Sequence, residues 1–150
     1  MYHTIIRRRV LALFDAVNYG DAGPVLDAFA PRFEHVFLGT SALGGRRTSL
    51  AATKAWYERL SRLMPDIHFD VERVAVSGTP WNTLAIAEWR ESNSGTDGVR
   101  TFNRGIHAVE IRWGRMTRLT ICPDTVALMA TLDRLAAIGH PDAHASMIEG

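Results

Sequence analysis

Apolar positions recur with two different periods in the two halves of the chain. From Thr4 to about Tyr19, Ile6, Val10, Leu13, Phe14 and Val17 fall three or four residues apart, which is the spacing of one helix face, and Gly20 ends the run. DAGPVLDAF predicts a short second helix with Pro24 in its first turn, where a missing N–H costs little. RFEHVFLG alternates weakly and reads as a short strand, and TSALGGRR reads as a loop. Ser49 is placed to cap a third helix on which Thr53, Trp56, Tyr57, Leu60, Leu63 and Met64 share a face, until Pro65 ends it.

Beyond Pro65 the period drops to two. DIHFDVERVAVSG alternates Ile67, Phe69, Val71 and then changes phase to Val74, Val76, which predicts a bulge at Glu72-Arg73 and a bent strand. WNTLAIAEWRES is a second long strand, followed by the turn-rich NSGTDG. VRTFNRGIHAVEIRW and MTRLTICP complete a meander with Gly114-Arg115 as its turn. DTVALMATLDRLAAIG is a closing helix with Leu128, Leu132, Leu135 and Ala136 on one stripe and Gly139 just past its end, and HPDAHASMIEG is a tail. Helices followed by a long bent antiparallel sheet describe an α+β domain over residues 1–150, with the helices covering one sheet face. Ile106, Ala108, Leu119 and Ile121 are expected on one face, and Val109, Ile111, Trp113 and Met116 on the other. Too few helices remain to cover both, so the second face is expected to meet another copy of the chain in a homodimer.

Composition narrows the partners. The chain has 150 residues, 47% apolar and 22% charged, with a net charge of +1. That balance is ordinary for a globular domain and supplies no basic field for nucleic acid. A single cysteine, Cys122, excludes an intrachain disulfide framework and suits the cytoplasm. No apolar run approaches the roughly 20 residues that span a bilayer. Arg7-Arg8-Arg9 precedes an apolar stretch that Asp15 interrupts, so the arginines read as the wet face of the first helix and not as an export signal.

His107 interrupts an otherwise apolar strand. If Gly114-Arg115 is a two-residue hairpin loop, cross-strand partners pair His107 with Cys122 and Gly105 with Asp124. Asp124 is then a diagonal neighbour of His107 at about 7–8 Å, and Asn103 continues the same face. An imidazole, a carboxylate and an amide at the end of an apolar wall make a pocket with proton-transfer chemistry. The bland alternatives are that Asp124 caps the following helix and that His107 is a satisfied core residue. Cys122 shares the face as a small apolar group. His35 on the first strand, and Trp56 and Tyr57 on the third helix, are candidate ligand contacts. His140 and His144 straddle Pro141 with no third ligand, so no metal is implied.

RGIHAVEIRWGRMTRLTICPDT and RLMPDIHFDVERVAVSGTPWNT resemble the SnoaL-like, polyketide cyclase-like branch of the nuclear transport factor 2-like superfamily, and the likeness runs over essentially the whole chain. The resemblance implies a cystatin-like cone: N-terminal helices packed on a strongly bent antiparallel sheet around a hydrophobic cavity, with a C-terminal helix, commonly dimeric. In the polyketide cyclases an aspartate near the end of the last strands acts as general acid and base beside a pocket histidine, and the similar positions here are Asp124 and His107. The steroid isomerases carry an aspartate base soon after the first strand, where this chain has Glu34-His35-Val36. The Asp–Arg–Asp set of the epoxide hydrolases has no counterpart. The resemblance implies an enzyme of the cyclase, isomerase or dehydratase kind acting on a small apolar carbonyl compound, with Asp124 and His107 shuttling the proton and Asn103, Tyr57 or His35 holding an oxygen. No cofactor is implied. A non-catalytic ligand-binding or dimerisation module of the same fold is the alternative.

Overall fold

The computed structural model describes residues 1–150. Helix α1 (Tyr2–Asn18) and the short α2 (Gly23–Ala28) lead into strand β1 (Phe29–Phe37). Strand β2 (Gly45–Arg47) and helix α3 (Leu50–Leu63) follow, then four strands: β3 (His68–Thr79), β4 (Asn82–Asn93), β5 (Thr101–Arg112) and β6 (Arg115–Pro123). Helix α4 (Thr125–Ala137) closes the fold, and Gly139 follows it in the left-handed conformation. No helix is long and apolar enough to cross a membrane.

The six strands form one sheet in the order β2-β1-β6-β5-β4-β3, and the fold is α+β as expected. Every pair is antiparallel except β1–β6, which is parallel. The GGRR segment, expected to be loop, ends in β2, whose Arg47 pairs with His35 of β1. The phase change in β3 is a bulge: pairing to β4 jumps between Val71 and Arg73, leaving Glu72 as the extra residue. Ser49 caps α3 by accepting the Ala52 N–H at 3.1 Å.

The β5–β6 hairpin corrects the expected register. Its two turn residues are Trp113 and Gly114, with φ of 51° and 79°, the pair of positive values that a type I′ turn requires, so Arg112 pairs with Arg115. That turn, one residue earlier than expected, slips the pairing by two, and a bulge at Thr117 takes one of the two back, since Ile111 pairs with Met116 but Glu110 with Arg118. His107 therefore faces Ile121, and Gly105 faces Pro123. With a side-chain period of two, this one-residue change moves half of β6 to the opposite face from that expected. Leu119 and Ile121 join Val109, Ile111 and Met116 on the concave face beneath the helices, while Ile106, Ala108, Thr120 and Cys122 lie on the convex face.

Candidate functional site

The concave face and helices α1, α3 and α4 enclose a cavity walled mainly by apolar side chains, among them Phe14, Leu60, Phe69 and Leu128. The cavity is narrow: the space open to the centre of a water-sized sphere is about 80 Å³. Tyr57, Glu91, Asn93, Thr101, Asn103, His107 and Thr131 bring polar atoms to its wall.

His107 projects from the middle of β5 and packs against Phe14, with ring centroids 4.7 Å apart, and against the edge of Phe69. Its Nδ1 accepts the indole N–H of Trp89 at 2.7 Å. An indole nitrogen only donates, so the neutral imidazole carries its proton on Nε2. Burial pushes the His107 pKa down to about 3, so the ring is neutral across the physiological range. His107 lines the cavity, so this Nε2–H is the ring's available donor there. Gly105 makes the arrangement possible: a Cβ there would sit 2.7 Å from the Trp89 ring and 2.4 Å from the Cys122 carbonyl oxygen.

Glu91 stands two positions along β4 from Trp89, on the same face, and is only 6% exposed. Asn93 accepts the Gly95 N–H through Oδ1 at 2.9 Å, which turns its Nδ2 towards Glu91 Oε1 at 2.6 Å. Burial, reinforced by the charge of Asp66, raises the Glu91 carboxyl to about 7 despite the Asn93 hydrogen bond and the charge of Arg100. A group that titrates near neutrality inside an apolar cavity can both take and return a proton.

On the opposite wall, Tyr57 contributes its ring and hydroxyl. Behind it His35 is fully buried, with Nε2 3.3 Å from the Tyr57 hydroxyl and Nδ1 3.0 Å from Arg47 Nε. Burial, then the charge of Arg47, holds His35 well below the ordinary histidine range. Trp56 lines the cavity beside Tyr57 and donates its indole N–H to the Leu43 carbonyl at 2.7 Å.

The residues singled out in the sequence thus divide. His107, Trp56 and Tyr57 line the cavity; His35 does not, standing one layer behind Tyr57. Asn103 reaches the cavity rim, but its amide ties β5 to the start of α4: Oδ1 accepts the Arg104 and Asp124 N–H groups and Nδ2 donates to the Asp124 carbonyl. The corrected register takes Cys122 and Asp124 off the face of His107. Cys122 sits opposite Ile106 on the convex side, and burial raises its thiol pKa. Asp124 is exposed, and its Oδ1 accepts the Val126 and Ala127 N–H groups at 3.0 and 3.1 Å as the cap of α4. Glu91 was not anticipated, although Thr83, Ala85, Ala87, Trp89 and Glu91 alternate along one strand in a pattern that places the carboxylate inward.

A family model described as the SnoaL-like domain matches residues 10–119. No curated protein matches the chain in sequence. Among solved structures, the chain is similar to a candidate SnoaL-like polyketide cyclase from Jannaschia sp. CCS1, with 18% identity, a TM-score of 0.68, and coverage of 86% of this chain and 92% of the other. It is also similar to a hypothetical protein with a ketosteroid isomerase-like fold from Catenulispora acidiphila DSM 44928 in complex with trimethylamine, with 14% identity, a TM-score of 0.70, and coverage of 82% and 90%. A third match is a nuclear transport factor 2-like protein of unknown function from Burkholderia pseudomallei K96243, with 16% identity, a TM-score of 0.66, and coverage of 89% and 97%. At these identities the likeness is one of fold.

Proposed function

We propose that this chain, which belongs to the SnoaL-like domain family, is an enzyme of the cyclase, isomerase or dehydratase kind, moving a proton on a small, largely apolar carbonyl compound held in the cone. The observation that carries the reading is Glu91, a carboxyl titrating near neutrality inside an apolar cavity that it shares with the His107 N–H donor. Glu91 takes a proton from carbon adjacent to a carbonyl and returns it at another position. Neutral His107 donates from Nε2 to the oxygen on which charge develops, which avoids the cost of a buried imidazolium. Acid/base assistance of this kind contributes typically about 10²–10⁴-fold, suited to a C–H bond that is already acidic. Asp124, with Oδ1 committed to the cap of α4, is assigned a structural part in this mechanism.

The reading treats residues 1–150 as one domain, because Leu128 and Thr131 of α4 complete the cavity wall. It assigns the convex face, where Ile86, Ile106, Ala108 and Cys122 form a partly exposed apolar stripe, to a second copy of the chain. The compartment proposed is the cytoplasm, where the lone thiol stays reduced.

The test uses cyclohex-3-en-1-one in D₂O, with exchange of its α-hydrogens followed by NMR. The wild-type protein is expected to accelerate exchange. Glu91→Gln should abolish about 10²–10⁴-fold of that rate, while Asp124→Asn leaves it intact. Equal rates for wild type and Glu91→Gln, with the ketone still bound, would sink the acid/base mechanism and leave a non-catalytic binding module.

A further inference from the structure

We propose that the Tyr57 hydroxyl is the donor that holds a carbonyl oxygen of the ligand, and that buried Arg47, acting through His35, fixes the direction of that hydroxyl. The inference rests on the reading of the cavity as a site for a small carbonyl compound, but not on turnover there.

The argument begins with a buried charge. Arg47 has no measurable exposure and makes no ion pair with a carboxylate. Its guanidinium donates from Nη1 to the Gly44 and Ile148 carbonyls at 3.1 and 2.6 Å, from Nη2 to the Gly45 carbonyl at 3.0 Å, and from Nε to His35 Nδ1 at 3.0 Å. It also lies over the Trp56 ring, 5.4 Å from the centroid. Taking a guanidinium out of water without a counter-ion is costly, and these neutral acceptors offset the cost only in part. Three of the acceptors are backbone carbonyls that anchor the adjoining loop and the C-terminal tail. The fourth is a side chain, and it leads to the cavity.

Guanidinium nitrogens donate and never accept, so His35 Nδ1 must be the acceptor of its pair with Arg47. The neutral imidazole then bears its proton on Nε2 and donates it to the Tyr57 oxygen. The opposite polarity, with Tyr57 donating to Nε2, would leave a protonated Nδ1 facing the Arg47 N–H, donor against donor. With its oxygen occupied by His35, the Tyr57 hydroxyl has its own proton free. No acceptor in the chain stands within hydrogen-bond distance of it other than His35, and Tyr57 lines the cavity. An O–H group left unpaired in an apolar wall is itself unfavourable, so the site favours a ligand that offers an acceptor. Burial also pushes the Tyr57 pKa up, which keeps the phenol in its donating form. His107, whose free ring proton is on Nε2, lines the same cavity. Tyr57 and His107 thus present two neutral donors to the ligand, which suits the acceptor oxygen of a ketone, aldehyde or ester.

The test is equilibrium binding, with cyclohexanone (¹³C at the carbonyl) and its hydrocarbon isostere methylenecyclohexane as probes. Tyr57→Phe is expected to weaken cyclohexanone by about 3- to 10-fold, the range of one neutral hydrogen bond, and to leave the affinity for methylenecyclohexane unchanged. The infrared carbonyl band of bound cyclohexanone should rise in Tyr57→Phe towards its position in hydrocarbon solvent. The positioning role is read from His35. His35→Gln keeps an acceptor for Arg47 and a donor for Tyr57, so it should preserve the band; His35→Leu, with Tyr57 intact, should broaden and raise it. The near-ultraviolet circular dichroism of each variant reports whether packing survives. A ketone that fails to bind, a carbonyl band identical in wild type and Tyr57→Phe, or an equal loss of affinity for both probes overturns the proposal. A Tyr57-dependent band in a protein that catalyses no proton exchange would leave this inference standing and remove the acid/base reading alone.

Discussion

Replacing Glu91 by glutamine removes a proton-binding group from the cavity while keeping its shape and the oxygen that accepts from Asn93. In the unfolded chain the carboxyl titrates near its ordinary value of 4.5; in the folded protein burial raises it to about 7. Between those values the folded state holds a proton that the unfolded state releases, so the group's contribution to stability is fully present below about pH 4.5 and is lost as pH rises through about 7. At about 1.4 kcal/mol per pH unit, the wild type loses on the order of 3 kcal/mol over this window through Glu91 alone. Glutamine does not titrate. The stability difference between Glu91→Gln and wild type should therefore shift by about 3 kcal/mol in favour of the variant between pH 4 and pH 8. Urea unfolding of both proteins at each pH measures it, and taking the difference cancels every other titrating group. A difference that stays flat with pH would refute the argument, because it would mean that the carboxyl is not held away from water. The expected result pairs a more stable protein with a slower one, since the group that weakens the fold is the one assigned the proton transfer.

Four further outcomes follow from individual contacts. Asp124→Ala should cost about 1 kcal/mol in chemical denaturation through loss of the α4 cap, whereas Asp124→Asn should stay within a few tenths. Trp113→Asn should stabilise the fold by up to about 1 kcal/mol less the packing lost against Trp81, read as a higher thermal midpoint, because asparagine tolerates the left-handed backbone at φ 51° better than tryptophan does. Gly105→Ala should lose about 1–3 kcal/mol and alter the near-ultraviolet signal of Trp89, because the added Cβ meets both the indole and the Cys122 carbonyl. His107, held neutral with a pKa near 3, should show imidazole NMR resonances that stay at their neutral positions down to about pH 4; its contribution to stability is present above about 6.5 and is lost as pH falls towards 3.

Much of the fold could be read from local pattern. The α3 cap at Ser49, the stop at Pro65, the bulge at Glu72 and the glycine after α4 each follow from backbone chemistry confined to a few residues. The β5–β6 hairpin was harder. Gly114 marks a turn, but whether it is the first or second turn residue is decided by how two strands match along their length. The expected pairing set Arg118 beside Ile111 on the cavity face, whereas the observed turn and the Thr117 bulge put Arg118 outside and Leu119 and Ile121 within. That single residue of slip separates Asp124 and Cys122 from His107.

The site was legible only in fragments. His107, Trp56 and Tyr57 were found because a polar group on an apolar strand and aromatic groups on one helix face are local signals. Glu91 sits on the inward parity of its strand, yet a carboxylate near a strand end reads as solvated until the cavity over it is seen. Arg47 left no signal at all: its acceptors come from residues 35, 44, 45 and 148, and only chain closure brings them together. By itself the sequence determined the elements other than β2, the caps at Ser49 and Gly139 and the α+β class, because these depend on periodicity and on backbone preferences over short spans. Only the tertiary structure decided which side chains share the cavity and which protonation states they hold, because register and desolvation depend on contacts between residues far apart in the chain.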